Sequence, residues 1–288
     1  MTNEMYPTTS THDDPASSKV KIKSPYVIAV CHQKGGVAKT TTVSALGATL
    51  AEHGQRVLLV DLDPSGNLTS GLGLSPLKMR KSAADILLGN EGLTSVRQQT
   101  VMPGLDIVPS NTEMRTVSRF LYLRPKYEYV LQSCFDQHAN NGLSTYDYVM
   151  MDCPPTLGPL TIAALTASNL VIVPTQCEYY SLQALEAVFK VIATVRAETN
   201  PALHFRLLIT MFDRRGSLHA RILELVRQRY APALFETMIG FDSKLRESQL
   251  MGLPVVLHAP GTRATEQYRA LAEELCAYVQ SKKVPQPA

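Results

Sequence analysis

Lys34-Gly35-Gly36-Val37-Ala38-Lys39-Thr40-Thr41 is the stretch on which the fold turns. It follows an apolar run, Tyr26-Val27-Ile28-Ala29-Val30, that reads as a strand, and it opens a segment, Thr42 to His53, that reads as a helix. A strand, a glycine-rich turn and a helix N-terminus together make a cradle for a triphosphate, because the backbone comes close to the anion with its N–H groups and the helix dipole facing it. Gly35, Gly36, Val37, Ala38 and Thr41 belong to the cradle, Lys39 supplies a point charge, and Thr40 offers a hydroxyl to Mg²⁺. The loop is a variant, since Lys34 stands where the ordinary Gly-x-x-x-x-Gly-Lys-[Ser/Thr] pattern has its first glycine. On chemistry alone Lys34 either caps the loop and faces solvent, or reaches a phosphate held by a facing subunit.

Outward from the loop, short apolar runs alternate with helical stretches. Val57 to Asp61, Leu105 to Pro109, Tyr148 to Asp152, Leu170 to Pro174 and Phe205 to Thr210 are apolar on both faces, as central parallel strands are. Helical patterns occupy Ser82 to Leu88, Arg115 to Gln137, Ser181 to Glu198, Ala220 to Tyr230 and Ala264 to Gln280. The alternation predicts an α/β fold, a single-domain, doubly wound, mostly parallel β-sheet flanked by helices, with its ligand at the carboxyl ends of the strands. Residues 25–280 are expected to form that domain. Residues 1–24 are expected to be a disordered tail and 281–288 a frayed end.

Two more strand ends carry acids. The second strand runs into Asp61-Leu62-Asp63-Pro64-Ser65-Gly66-Asn67, which places two carboxylates at the strand exit, followed by turn formers. Asp63 is the one expected to face the phosphates, holding a Mg²⁺-bound water or orienting the attacking water, and Gly66, Gly71 and Gly73 leave the following loop able to move. The strand from Tyr148 ends at Asp152, before Cys153-Pro154-Pro155, and reads as a second magnesium carboxylate acting through water. Thr40, Asp63 and Asp152 are thus the candidate metal set, and Lys34, Lys39 and Asp63 the candidate catalytic set.

The composition is that of a water-soluble domain. The chain has 288 residues, 45% hydrophobic and 18% charged, and a formal charge of +3 permits contact with a polyanion without requiring it. No apolar run approaches the twenty residues of a membrane span, and the N-terminus has no apolar leader segment, so a cytoplasmic location is expected. The five cysteines, Cys31, Cys134, Cys153, Cys177 and Cys276, show no paired spacing and read as reduced, mostly buried thiols. That spacing also argues against an iron–sulfur carrier.

The order Lys-Gly-Gly-Val-Ala-Lys-Thr-Thr, Asp-Leu-Asp-Pro-Ser-Gly-Asn, Asp-Cys-Pro-Pro and Val-Pro-Thr-Gln-Cys-Glu-Tyr-Tyr-Ser-Leu closely resembles the ParA/Soj family of partitioning ATPases, the deviant Walker A group that also includes MinD. The resemblance spans about Tyr26 to Tyr278. It implies ATP and Mg²⁺ as cofactors, an ATP sandwich homodimer in which Lys34 contacts the partner's nucleotide, nonspecific double-stranded DNA as a partner, and a ParB-like activator of a slow ATPase. It puts the phosphate-loop lysine on Lys39, the magnesium threonine on Thr40, the hydrolysis-critical aspartate on Asp63 and the Walker B aspartate on Asp152. A nucleoid-associated protein of plasmid or chromosome segregation follows, with a nucleotide-gated scaffold for a protein cluster or organelle as the competing class. Two positions depart from the family pattern: Ala38 stands where many members have glycine, and Phe241 to Glu247 replaces a common Pro-Arg-Asn-Val-Arg-Leu run.

Cations outnumber acids between Arg206 and Arg246. Without interleaved aromatics this suits contact with backbone phosphates, independent of sequence and sensitive to salt. The resemblance assigns DNA contact to Arg215 and Lys244, and Arg246 adds a charge nearby. A MinD-like membrane role would need a basic amphipathic C-terminal helix, whereas Glu266, Glu273 and Glu274 line the polar side of the last one, so no membrane partner is expected.

Overall fold

A computed structural model describes residues 24–138 and 142–283. Seven strands are formed: β1 (Tyr26–Val30), β2 (Val57–Asp61), β3 (Gln98–Gln99), β4 (Leu105–Val108), β5 (Tyr148–Asp152), β6 (Leu170–Gln176) and β7 (His204–Thr210). They make one sheet in the order β3-β4-β2-β5-β1-β6-β7, parallel throughout except for the β3–β4 pair. This is the doubly wound, mostly parallel architecture expected of the apolar runs. The dipeptide edge strand β3 carries two exposed glutamines and has no apolar signature.

Period-two alternation divides the core. Val27, Ala29, Leu58, Val60, Val149, Met151, Val171 and Val173 face one layer, while Ile28, Val30, Val57, Leu59, Met150, Leu170 and Ile172 face the other. The first layer is covered by α3 (Ala83–Leu88), α4 (Leu93–Val96), α5 (Met114–Phe120), α6 (Val130–His138), α7 (Pro159–Thr166), α8 (Tyr179–Glu198) and α9 (Ser217–Tyr230). The second lies under α1 (Lys39–Glu52), α2 (Asn67–Gly71), α10 (Ser243–Leu250), α11 (Val255–His258) and α12 (Arg263–Lys283). A glycine inside α1 sets the closeness of that layer. A Cβ on Gly47 would stand 2.6 Å from Leu59 Cδ2, so the helix rests directly on β2.

The continuous helix expected from Arg115 to Gln137 is broken. α5 ends at Phe120, short 3₁₀ turns follow at Leu121–Leu123 and Tyr127–Tyr129, and α6 starts at Val130. Pro125 lacks an N–H and disfavours helical backbone at Arg124, and Lys126 takes a left-handed conformation at φ 56°. The last helix continues through Lys283, so Ser281 to Lys283 are helical rather than frayed. Its apolar face, including Tyr268, Leu271 and Leu275, is buried in the second layer. Residues 1–23 and 284–288, where tails were expected, lie outside the described residues. Among the described residues no helix is long and apolar enough to cross a membrane.

Candidate nucleotide site

The ends of β1, β2, β5, β6 and β7 meet along one rim of the sheet. β1 lies between β5 and β6, so the chain leaves the centre in opposite directions on either side of it, which is where doubly wound sheets form their binding crevice. A cleft of about 750 Å³ opens there, walled by Gly36, Lys39 and Thr40 of the loop, Asp63 and Asn67 beyond β2, Pro155 beyond β5, Met211 beyond β7, and Arg246 and Gln249 of α10.

The loop between β1 and α1 is held in an unusual shape. Ala38, the residue preceding α1, has φ 67° and ψ 32°, in the left-handed region favoured by glycine, and its carbonyl accepts the first helical bond from Thr42 N at 2.9 Å. His32 buttresses the loop from below: it is fully buried, and its Nδ1 accepts from Lys34 N at 2.9 Å. That bond fixes the proton on Nε2, which is buried without a partner. Burial, together with nearby Lys39 and Lys34, lowers the imidazole pKa to about 4, so His32 is neutral at pH 7.

Lys39 is buried, its Nζ 3.4 Å from the Lys34 carbonyl oxygen. Thr40 Oγ1 donates to Asp152 Oδ2 at 2.7 Å, while Asp152 Oδ1 is buried with no hydrogen-bond partner. In the β2–β5 register Asp152 stands beside Asp61. Burial raises both carboxyls, Asp61 to about 7 and Asp152 well above its ordinary value, and the charge of Asp61 adds to the rise on Asp152. An unpartnered buried carboxylate oxygen beside a hydroxyl and a lysine is a place where a hard cation relieves both desolvation and repulsion. Among the described residues no group of three or more His, Cys, Asp and Glu side chains gathers to hold a metal.

The two acids after Val60 part company because β2 ends at Asp61 and the chain leaves the strand before Asp63. Asp61 is buried and accepts from Thr69 N at 2.9 Å and Thr69 Oγ1 at 2.6 Å, which ties α2 to the end of β2. Asp63 lines the cleft, and Ser110 Oγ donates to its carbonyl at 2.9 Å. The loop that follows meets α10 through two glycines: a Cβ on Gly252 would lie 2.7 Å from Gly73 Cα, and both residues have positive φ. The segment after Asp63 and the chain just beyond α10 are thus in close contact.

Lys34 stands at the outer lip. Its Nζ donates to Glu178 Oε2 at 2.5 Å, Gln176 Oε1 at 3.2 Å and Ser181 Oγ at 3.2 Å, all at the junction of β6 and α8. Gln176 Nε2 in turn holds Gly36 O and Met211 Sδ. Beside Glu178 two tyrosines project into solvent, Tyr179 at 65% and Tyr180 at 73% exposure. The sequence contained this segment as a quoted motif, but nothing in it assigned Glu178 to Lys34. His32, Met211 and Gln249 also carried no sequence signal.

The basic residues divide. The strand β7 exit and the segment before α10 run side by side, Phe212 pairing with Gly240, so Arg215 and Lys244 follow on adjacent segments. Arg215 pairs with Asp213 at 3.3 Å and Lys244 with Glu247 at 2.6 Å, both at the surface. Arg246, grouped with them by sequence proximity, is placed differently. It lines the cleft, and its guanidinium lies 5.0 Å from the Phe241 ring centre. The five cysteines are free, four of them buried, and burial pushes the Cys153 thiol up.

A parallel sheet with a phosphate loop at its switch point and a threonine–aspartate pair behind it defines a P-loop nucleotide-binding α/β protein. The family model described as an AAA domain matches residues 25–205. The sporulation initiation inhibitor protein Soj of Bacillus subtilis is 38% identical over 260 residues, covering 87% of this chain and 98% of Soj. The chromosome partitioning protein ParA of Caulobacter vibrioides is 36% identical over 250 residues, covering 86% and 93%. A Mycobacterium smegmatis structure described as cobyrinic acid a,c-diamide synthase with bound ATP analog and magnesium aligns at TM-score 0.78 and 34% identity, covering 92% of this chain and 100% of that one. Apo McdA of Cyanothece shares the fold at TM-score 0.76 and 17% identity, covering 87% and 99%. The chain belongs to the ParA/Soj family of partitioning ATPases.

Proposed function

We propose that this chain is a Mg²⁺-dependent ATPase whose ATP-bound form is a sandwich dimer that binds nonspecific DNA, and that hydrolysis stimulated by a ParB-like partner returns it to a weakly binding state, driving segregation of a plasmid or chromosome on the nucleoid. The observation that carries this reading is the division of labour between the two loop lysines. Lys39 is buried against the cradle it serves, whereas Lys34 sits at the open lip, held by groups outside the loop and next to two exposed tyrosines. A second copy facing that lip would receive Lys34 at its own phosphates.

In this reading the loop N–H groups and Lys39 would bind the β- and γ-phosphates, and Thr40 and Asp152 would hold Mg²⁺. The metal supplies charge neutralisation between the phosphates. Asp63 orients water for in-line attack. Among the described residues nothing else along the cleft resembles a strong general base, and turnover is correspondingly slow until a partner engages. Arg215 and Lys244 track DNA phosphates, each first exchanging a surface acid for the polyanion.

The test is phosphate release by the full chain with Mg²⁺-ATP, with and without plasmid DNA and the cognate centromere-binding protein. Stimulation is expected only with partner and DNA together. Lys39→Ala should abolish nucleotide binding and Asp63→Ala should leave ATP-bound protein retained on DNA. Absence of phosphate release under every condition would instead favour a nucleotide-gated scaffold.

A further inference from the structure

Arg246 has a cationic head and an unusual setting. It is exposed at the mouth of the cleft, and among the described residues its only contact of a charged or polar kind is the Phe241 ring, 5.0 Å away. Three neighbouring cations are engaged: Lys244 with Glu247, Arg215 with Asp213, Arg263 with the Phe241 carbonyl. One turn on, Gln249 faces the same cleft and donates from Nε2 to Thr41 Oγ1 at 2.9 Å. Thr41 is the loop residue beyond the metal threonine. In a phosphate loop the lysine and threonine mark the β- and γ-phosphates, so the wall beyond Thr41 adjoins the α-phosphate and the nucleoside. A narrower recess adjoins the cleft at that end, with Ala38, Thr41, Met211 and Arg246 lining both and Phe241 lining the recess.

We propose that Arg246 is the nucleoside-end wall of the site, laying a guanidinium braced on Phe241 against the base of the bound nucleotide, and that it is not a DNA contact. A flat cation stacked on an aromatic ring offers its other face to a second π-system at little cost in side-chain order. Gln249 holds the loop at Thr41 while α10 carries Arg246 over it. Gly252, just beyond α10, packs against Gly73 of the segment after Asp63.

The inference rests on the nucleotide reading above, and the wild-type chain separates the two. If the wild type does not bind ATPγS with Mg²⁺, the function reading fails. If it binds and Arg246→Ala binds equally well, only this inference fails. Titration calorimetry of Arg246→Ala is expected to show ATPγS affinity about tenfold weaker and inorganic tripolyphosphate affinity within a factor of about two, the scale of a small loss in screened charge. Arg246→Lys, which keeps the charge and loses the plane, should resemble Arg246→Ala. Equal losses for ATPγS and tripolyphosphate, or full recovery with lysine, would place the contact on phosphate charge and overturn the assignment. Loss of plasmid DNA retention at saturating ATPγS, with nucleotide affinity unchanged, would return Arg246 to the DNA surface.

Discussion

Replacing Ala38 by glycine should stabilise the protein, although helix interiors usually prefer alanine. At φ 67° and ψ 32° Ala38 holds its methyl close to the following carbonyl, a conformation that costs an L-residue roughly 1–2 kcal/mol relative to right-handed backbone. Glycine removes that strain but loosens the unfolded chain by about 0.4–1 kcal/mol. The difference leaves a net gain of about 0.5–1 kcal/mol, which for a chain of this size is an upward shift of about 2 °C in melting temperature. None of the loop's hydrogen bonds uses the Ala38 side chain, so they survive the change, including Thr42 N to the residue-38 carbonyl. Urea unfolding of the nucleotide-free wild type and Ala38→Gly, with equal m-values, reads the difference directly. Ala38→Val serves as the opposite probe, since a β-branched side chain in this conformation is an outlier and should destabilise by more than 1 kcal/mol. A lower urea midpoint for Ala38→Gly than for wild type would show that the loop holds no such strain.

Other perturbations follow from single contacts. Glu178→Gln weakens the ion pair that keeps Lys34 on its own chain; a half-exposed pair contributes about 0.5 kcal/mol, and two are released per dimer, so the dimer with ATPγS should tighten about fivefold in sedimentation equilibrium. A looser dimer would mean Glu178 is needed across the interface. His32 is held neutral in the folded chain, with a pKa depressed to about 4 against 6.5 unfolded, so below pH 6.5 the unfolded chain takes up a proton that the folded chain refuses. Its contribution is therefore lost as pH falls from 6.5 to 4 and is level below that, amounting to about 3 kcal/mol at most. Asp61, raised to about 7, acts with the opposite sign over the same window, so the comparison to make is the pH profile of wild type minus His32→Gln; a difference independent of pH would refute the assignment. Gly252→Ala forces a methyl against Gly73 Cα and should cost more than 1 kcal/mol while lowering nucleotide affinity; an effect on stability alone would uncouple α10 from the loop after Asp63.

What the sequence made legible was what repeats along it. Six apolar runs sufficed for the parallel sheet and for the rim on which Lys39, Asp63 and Asp152 stand, because strand ends are local features. The break at Arg124-Pro125-Lys126 was also written in the sequence, in Pro125, but the helical periodicity on both sides masked it. α2 and α10 are too short to build a pattern of their own and exist through tertiary contacts such as Thr69 on Asp61. The Lys34–Glu178 pair, 144 residues apart, and the turning of Arg246 into the cleft instead of toward Lys244 depend on how segments pack, which no spacing along the chain encodes.

The most direct test of the whole account is sedimentation velocity of the full chain at saturating Mg²⁺-ATP with hydrolysis blocked by Asp63→Ala. Paired copies are expected, reverting to single copies when Lys34→Ala is added. Single copies in both, at nucleotide concentrations where binding is complete, would contradict it.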